Sequence, residues 1–223
     1  MTCLYICFIY SLFAIVSSMK ALKLSVGDMR KLLGHVKALN VAKDYATTMK
    51  PFIVHDQVLG YLSPTFADMV SKFTNVFKYY GKDLRLQPEI EKLDLQGRTI
   101  AIHGVNEILR QQGVIHGWRN EMFAVSSEFN NPPVLLLERA AVPFYGTKAY
   151  GAHVNGYVRN DRQEISHLWV GTRSPTKQTW PGMLDHIVAG GLPHGISLMD
   201  NVIKVSGLLG GRFVREFVIK FFF

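Results

Sequence analysis

The stretch from Tyr150 to Gly195 holds the most informative ordered set of elements in the chain. Apolar and polar residues alternate through Ala152, His153, Val154, Asn155, Gly156, Tyr157 and Val158, the period of a strand whose two faces meet different surroundings. Asn160-Asp161-Arg162-Gln163 is a polar turn, and His167-Leu168-Trp169-Val170-Gly171-Thr172-Arg173 alternates again, so the two runs predict a hairpin. Gly190-Gly191 then reads as a turn signal. Ser197-Leu198-Met199-Asp200 has the spacing of a helix capping box, and the helix it opens would turn Leu198, Val202 and Ile203 toward a core. Strand, strand, glycine turn and helix is the order to be satisfied.

Upstream, both element types occur without a repeat, which predicts an α+β domain. Ser25-Val26-Gly27-Asp28 fits a capping box, followed at helical spacing by Met29, Leu32, Leu33 and Val36 as a core-facing stripe. Pro51–Val54, His55-Asp56-Gln57 and Val58–Leu62 read as strand, turn, strand. Thr65-Phe66-Ala67-Asp68 predicts a second cap, with Met69, Val70, Phe73 and Phe77 as the apolar face behind it. Arg98–Ile102 reads as a short strand, and Asn106–Gln112 as a short helix closed by Gly113. Phe123–Ser126 and Val134–Leu137 read as strands around an Asn130–Pro133 turn.

Composition sets bounds on function. The 223 residues are 48% hydrophobic and 19% charged, enough apolar material for a real core. A net charge of +8 favours anionic partners. No dense Lys/Arg block accompanies it, so the charge reads as spread over a solvated surface and nucleic acid is not an expected partner. The two cysteines, Cys3 and Cys7, lie in the extreme N-terminal segment, which excludes a disulfide framework or a CxxC zinc site elsewhere. The eight histidines are scattered singly, without HExxH-type spacing, and read as structural or surface residues. Leu4–Val16 is nearly all apolar but shorter than the roughly 20 residues of a membrane span. Residues 1–18 therefore read as a hydrophobic leader lacking a basic n-region, or as a gene-model artefact with translation beginning at Met19, and in neither case as part of the fold.

Several phrases, taken in order, carry a resemblance. They are the hairpin ending Gly60-Tyr61, then Gly117-Trp118-Arg119-Asn120-Glu121, then Glu138-Arg139-Ala140-Ala141. His153-x-Asn155-Gly156-Tyr157 and Trp169-x-Gly171-x-Arg173 follow, then Trp180-Pro181-Gly182-Met183-Leu184-Asp185 and Ala189-Gly190-Gly191-Leu192-Pro193-His194-Gly195. This set resembles the thiamine-pyrophosphokinase-related branch of the Nudix hydrolases. The resemblance implies an N-terminal α+β accessory domain over residues 20–145, and a partial Nudix domain, an incomplete α/β/α sandwich, over 146–204. It implies hydrolysis of a diphosphate bond in a small molecule, such as a thiamine diphosphate derivative, an oxidised nucleotide such as 8-oxo-dGDP, or ADP-ribose. It implies magnesium as cofactor, a glycine turn where backbone approaches phosphate without a Cβ, Arg173 as a phosphate contact and Trp180 as a ring contact. It also implies a cytoplasmic or organellar location. Kinase activity is not implied, and the oligomeric state is left open.

The chain departs from the family inside the Nudix box, Gly-x5-Glu-x7-Arg-Glu-U-x-Glu-Glu-x-Gly-U, where U is bulky and apolar. Counted from Gly190, the glutamate positions fall on Ile196, Val205, Leu208 and Leu209. Lys204 stands at the arginine and Gly211 at the final glycine, so Gly190, Gly191 and Lys204 remain as a remnant. None of the glutamate positions carries an acid, and magnesium requires hard oxygen ligands. The only carboxylate on the helix is Asp200, accounted for by its cap; Glu138 and Asp185 are the acids that could substitute.

Residues 205–223 read as a non-family tail, either a translated intron beginning after Lys204 or a divergent C-terminus. Gly207, Gly210 and Gly211 make its first part a poor helix, and it ends in an aggregation-prone aromatic run. The family sandwich would use more strands and a final helix, so an exposed edge and face are expected. Two functions follow: a Nudix-type hydrolase inactive in this chain, or a non-catalytic binding or regulatory module or inert truncated product.

Overall fold

The structure, a computed structural model, describes residues 3–6, 25–39, 47–176, 180–207 and 219–221. It is an α+β protein of two compact units, Lys23–Ala149 and Tyr150–Phe223 with Met1–Leu22.

The Lys23–Ala149 unit begins with α1 (Val26–Leu39). Its capping box is made in full: Ser25 Oγ accepts from the Asp28 N–H at 3.1 Å, and an Asp28 oxygen accepts from the Ser25 N–H at 3.2 Å. Met29, Leu32, Leu33 and Val36 were expected to face a core, yet each is more than half exposed. Local spacing specifies the helix and its stripe but not what covers the stripe.

Strands β2 (Lys50–Val54) and β3 (Gln57–Leu62) form the expected hairpin, with His55 and Asp56 both at positive φ in the turn. Next comes α2 (Pro64–Ser71), whose N-cap is Ser63 rather than Thr65. Ser63 Oγ accepts from the Phe66 N–H, and Pro64 occupies the first turn, where its fixed φ suits a helix start. The helix stops at Ser71, so Phe77 falls instead on β4 (Phe77–Tyr80), paired antiparallel with β5 (Asp83–Leu86). Because β5 also runs parallel to β2, the sheet order is β3-β2-β5-β4.

After α3 (Pro88–Glu91), α4 spans Leu95–Gln111 and absorbs the predicted strand at Arg98–Ile102. The β-branched run Thr99-Ile100 misled the strand expectation. The residues that become buried, Arg98, Thr99, Ile102, Val105, Asn106 and Leu109, keep helical spacing. Asp94 caps the helix by accepting from the Gly97 N–H, and Gly113 follows its end at φ +73°. The buried Arg98 guanidinium donates to the carbonyls of Val134, Glu91 and Leu93, tying this helix to the chain on both sides. Strands β6 (Met122–Val125) and β7 (Leu135–Glu138) pair antiparallel as expected, and α5 (Val142–Tyr145) closes the unit. One hydrophobic core links the pieces from β2 to α5. At its centre the Tyr145 ring meets Phe52, Phe66 and Phe77, while its hydroxyl donates to Asn106 Oδ1 at 3.0 Å.

In the second unit β8 (Gly151–Arg159) pairs antiparallel with β9 (Ile165–Trp169) across a turn organised by Asn160, whose side-chain oxygen accepts from the Arg162 and Glu164 N–H groups. The second predicted strand breaks at Val170. Gly171–Thr172 (β10) pairs instead with Leu184–Asp185 (β11) in a separate ribbon. Next, β12 (Val188–Gly191) returns antiparallel to β8. The helix α6 (Leu198–Gly207) starts at the expected box, with Asp200 N–H donating to Ser197 Oγ, and continues past Lys204 into Val205–Gly207.

Four residues of the leader segment, which was expected outside the fold, are paired. Cys3–Ile6 forms β1, antiparallel to Val154–Tyr157 of β8, and Ile219–Phe221 forms β13, parallel to β1. An apolar segment beside a strand whose N–H and C=O groups need partners is drawn into the ladder. Leu168, Trp169 and Val170 stay exposed on and just after β9.

Candidate functional site

Gly190 and Gly191 were expected in a turn; both lie within β12, opposite Ala152 and Gly151 of β8. The turn falls three residues later, with Gly195 at φ +81° before α6. What demands glycine at 190 is packing. A Cβ there would lie 2.5 Å from Val205 Cγ2, so α6 can approach the strand only over a bare Cα. Val202 and Val205 of α6 join Ala152, Val154 and Val188 in this unit's own apolar cluster.

That packing bears directly on the implied magnesium. Val205, at a glutamate position of the box, is an apolar side chain packed against Gly190, and Ile196 is a half-buried hydrocarbon. Leu208 and Leu209 lie outside the described residues. Hydrocarbons offer magnesium no oxygen, so the residues present do not fit that ion at these positions. Among the described residues no group of three or more His, Cys, Asp or Glu could hold a metal ion. Glu138 is 1% exposed and accepts from the main-chain N–H groups of Arg119 and Ala140. Lys204 lies on the exposed side of α6.

The polar groups that do converge surround Asp185. Arg173 donates to Asp185 at 2.6 Å and to the Trp180 carbonyl at 3.0 Å, while its main chain exchanges hydrogen bonds with Met183 and Gly182. The guanidinium thus ties the Arg173–Asp185 excursion together. Trp180, at φ +54°, presents a ring that is 73% exposed. Lys177–Thr179 lie outside the described residues. Burial pushes the Asp185 carboxyl up, but the hydrogen bonds from Arg173 and the His186 N–H, with the Arg173 charge, outweigh it and hold the group below the usual carboxylate range.

On the other side of Asp185 stands a pair that the sequence reading dispersed. His153 Nδ1 and His186 Nδ1 are 3.4 Å apart with the rings nearly perpendicular, and His186 Nδ1 is 3.7 Å from Asp185 Oδ1. Partial burial lowers the His153 pKa, His186 lowers it further, and Asp185 partly opposes both. The signal available in the sequence was strand register. His153 is directly opposite Ala189, and His186 precedes that residue by three. The 33-residue separation hid it.

With this geometry, comparison with known proteins places the chain. The family described as "Domain of unknown function (DUF4743)" matches residues 31–149, and the chain belongs to that family. Two of its relatives are named Nudix hydrolases. It is 37% identical over 203 residues to the chloroplastic Nudix hydrolase 24 of Arabidopsis thaliana, covering 87% of this chain and 54% of the relative. It is 42% identical over 167 residues to the chloroplastic Nudix hydrolase 20 of the same plant, covering 69% and 42% respectively. An uncharacterized protein of Saccharomyces cerevisiae is 46% identical over 92 residues, 41% of this chain and 26% of that one. The chain spans about half the length of the plant relatives it matches.

Proposed function

We propose that this chain derives from a Nudix-type hydrolase of a diphosphate bond and does not itself perform that hydrolysis. The substrate class is a small-molecule diphosphate, either a thiamine diphosphate derivative or an oxidised nucleotide such as 8-oxo-dGDP. Residues 20–145 serve as the accessory domain of the thiamine-pyrophosphokinase-related branch, and residues 146–204 as part of the Nudix domain. The observation that carries inactivity is the apolar contact of Val205 with Gly190, where the family pattern sets a carboxylate. Without oxygen ligands there, nothing gathers magnesium to neutralise the diphosphate or to activate water. The chloroplastic relatives support an organellar location. No helix among the described residues is long and apolar enough to cross a membrane.

A second reading, a binding or regulatory module, is favoured by the exposed Trp180 ring beside the Arg173–Asp185 pair. A ring can stack on a base or thiazolium without any metal. One experiment addresses both. The purified chain is incubated with Mg2+ and thiamine diphosphate or 8-oxo-dGDP, phosphate release is followed, and binding is measured by calorimetry. The expected result is no metal-dependent release; turnover would show that carboxylates elsewhere replace the box. Saturable binding that Trp180→Ala abolishes would favour the module.

A further inference from the structure

We propose that His153 and His186 form a binding site for a borderline transition-metal ion, best matched by zinc, distinct from the Nudix-box positions. Two imidazole nitrogens that ligate one zinc ion each lie about 2.0–2.1 Å from it. With the Nδ1 atoms 3.4 Å apart, an ion at that range from both would subtend about 110° between them, close to the tetrahedral angle. His153 is fixed by the pairing of β8 with β12, and His186 lies between Asp185 of β11 and Val188 of β12. A site held by main-chain ladders is already organised before its ligand arrives.

A metal takes the neutral imidazole, and two imidazoles facing each other at Nδ1 cannot both be charged cheaply. Asp185 lies beside the pair: its Oδ1 is 3.7 Å from His186 Nδ1 and accepts from the His186 main-chain N–H, and its Oδ2 accepts from Arg173. Its negative charge offsets part of the charge of an ion bound there. Imidazole ligands select zinc, copper or nickel over magnesium, so this is not the family's ion displaced. No third His, Cys, Asp or Glu joins the pair among the described residues. Among the described residues the protein thus supplies two ligands, which leaves the remaining positions of a tetrahedral ion to water or to an oxygen of a bound phosphate. The proposal rests on this geometry alone and stands whether or not the chain hydrolyses a diphosphate.

The test uses the full chain, stripped with a chelator, its cysteines alkylated so that Cys3 and Cys7 cannot bind the probe, and titrated with Zn2+ by calorimetry at pH 7.5. One ion per chain is expected. His153→Ala and His186→Ala should each weaken binding at least tenfold, and His167→Ala, on exposed β9, should leave it unchanged. Binding should also weaken as pH falls below about 6.5, where imidazole protonates. The second arm needs no substitution: Zn2+ should protect His153 and His186, and not His167, from diethyl pyrocarbonate, read by mass spectrometry. Undiminished affinity in the doubly substituted chain, loss of binding on alkylation, or equal modification of the pair with and without Zn2+ would each overturn the proposal.

Discussion

At Gly60 and Gly146 two stretches of main chain meet with no room for a Cβ. One added at Gly60 would press into the Tyr145 carbonyl, and one at Gly146 into the Tyr61 carbonyl; Gly146 also sits at φ +60°. Backbone cannot step aside as a flexible side chain can, so Gly146→Ala should cost about 2 kcal/mol or more. Urea denaturation would show it, and a midpoint unchanged from the parent would mean that the contact relaxes. Gly60 was legible only as part of a phrase, Gly60-Tyr61, because a close approach between residues so far apart leaves no local mark. The same holds for His153 and His186, read as isolated residues and found in contact. Arg173, expected to contact phosphate, is engaged with Asp185 and the Trp180 carbonyl, a use that depends on how the excursion folds back.

Helix starts show how far local chemistry carries at the level of elements. The boxes at Ser25–Asp28 and Ser197–Asp200 were readable because both partners lie within one turn, and both form. The cap at Thr65 was misplaced by two residues, since Ser63 followed by Pro64 is the stronger start. Ser63→Ala should therefore destabilise the protein by about 1 kcal/mol, while Thr65→Ala should be nearly neutral. Thermal melts of the two variants would separate the assignments, and equal losses would refute this one. The misread strand at Arg98–Ile102 has another cause. β-branched side chains raise strand preference only weakly, and here burial along one helical face overrides it. The Gly190-Gly191 pair became strand for a comparable reason, because α6 must pack against β12 through Val205.

At the scale of the whole molecule, the described groups whose pKa values are lowered, His153 and Asp185, both lie in the unit that holds Tyr150–Phe223. The folded pKa of His153 lies below its ordinary value, so the unfolded chain takes up that proton first as pH falls. The associated stability is present above about pH 6.5 and is lost progressively below it. The groups facing His153 are His186 and Asp185, with Arg173 behind the latter. Asp185, whose pKa is also depressed, adds a separate loss in strongly acidic solution, below the usual carboxylate range. With chelator present, the denaturation midpoint of this unit should fall between pH 7.5 and 5.5, followed through the fluorescence of Trp169 and Trp180. His153→Gln should flatten that slope; an unchanged slope would assign the sensitivity to other groups. The sequence by itself determined the α+β class, the β8–β9 hairpin, the helix boxes at Ser25–Asp28 and Ser197–Asp200, the family phrases and the absence of acids at the Nudix-box positions. These are properties of residue type and short spacing, which need no partner to be expressed. Only the tertiary structure decided that Gly190 underlies Val205, that Cys3–Ile6 completes an edge of β8, and that His153 meets His186 beside Asp185. Those contacts join residues far apart in the chain, and pairing between strands, rather than local preference, brings them within reach.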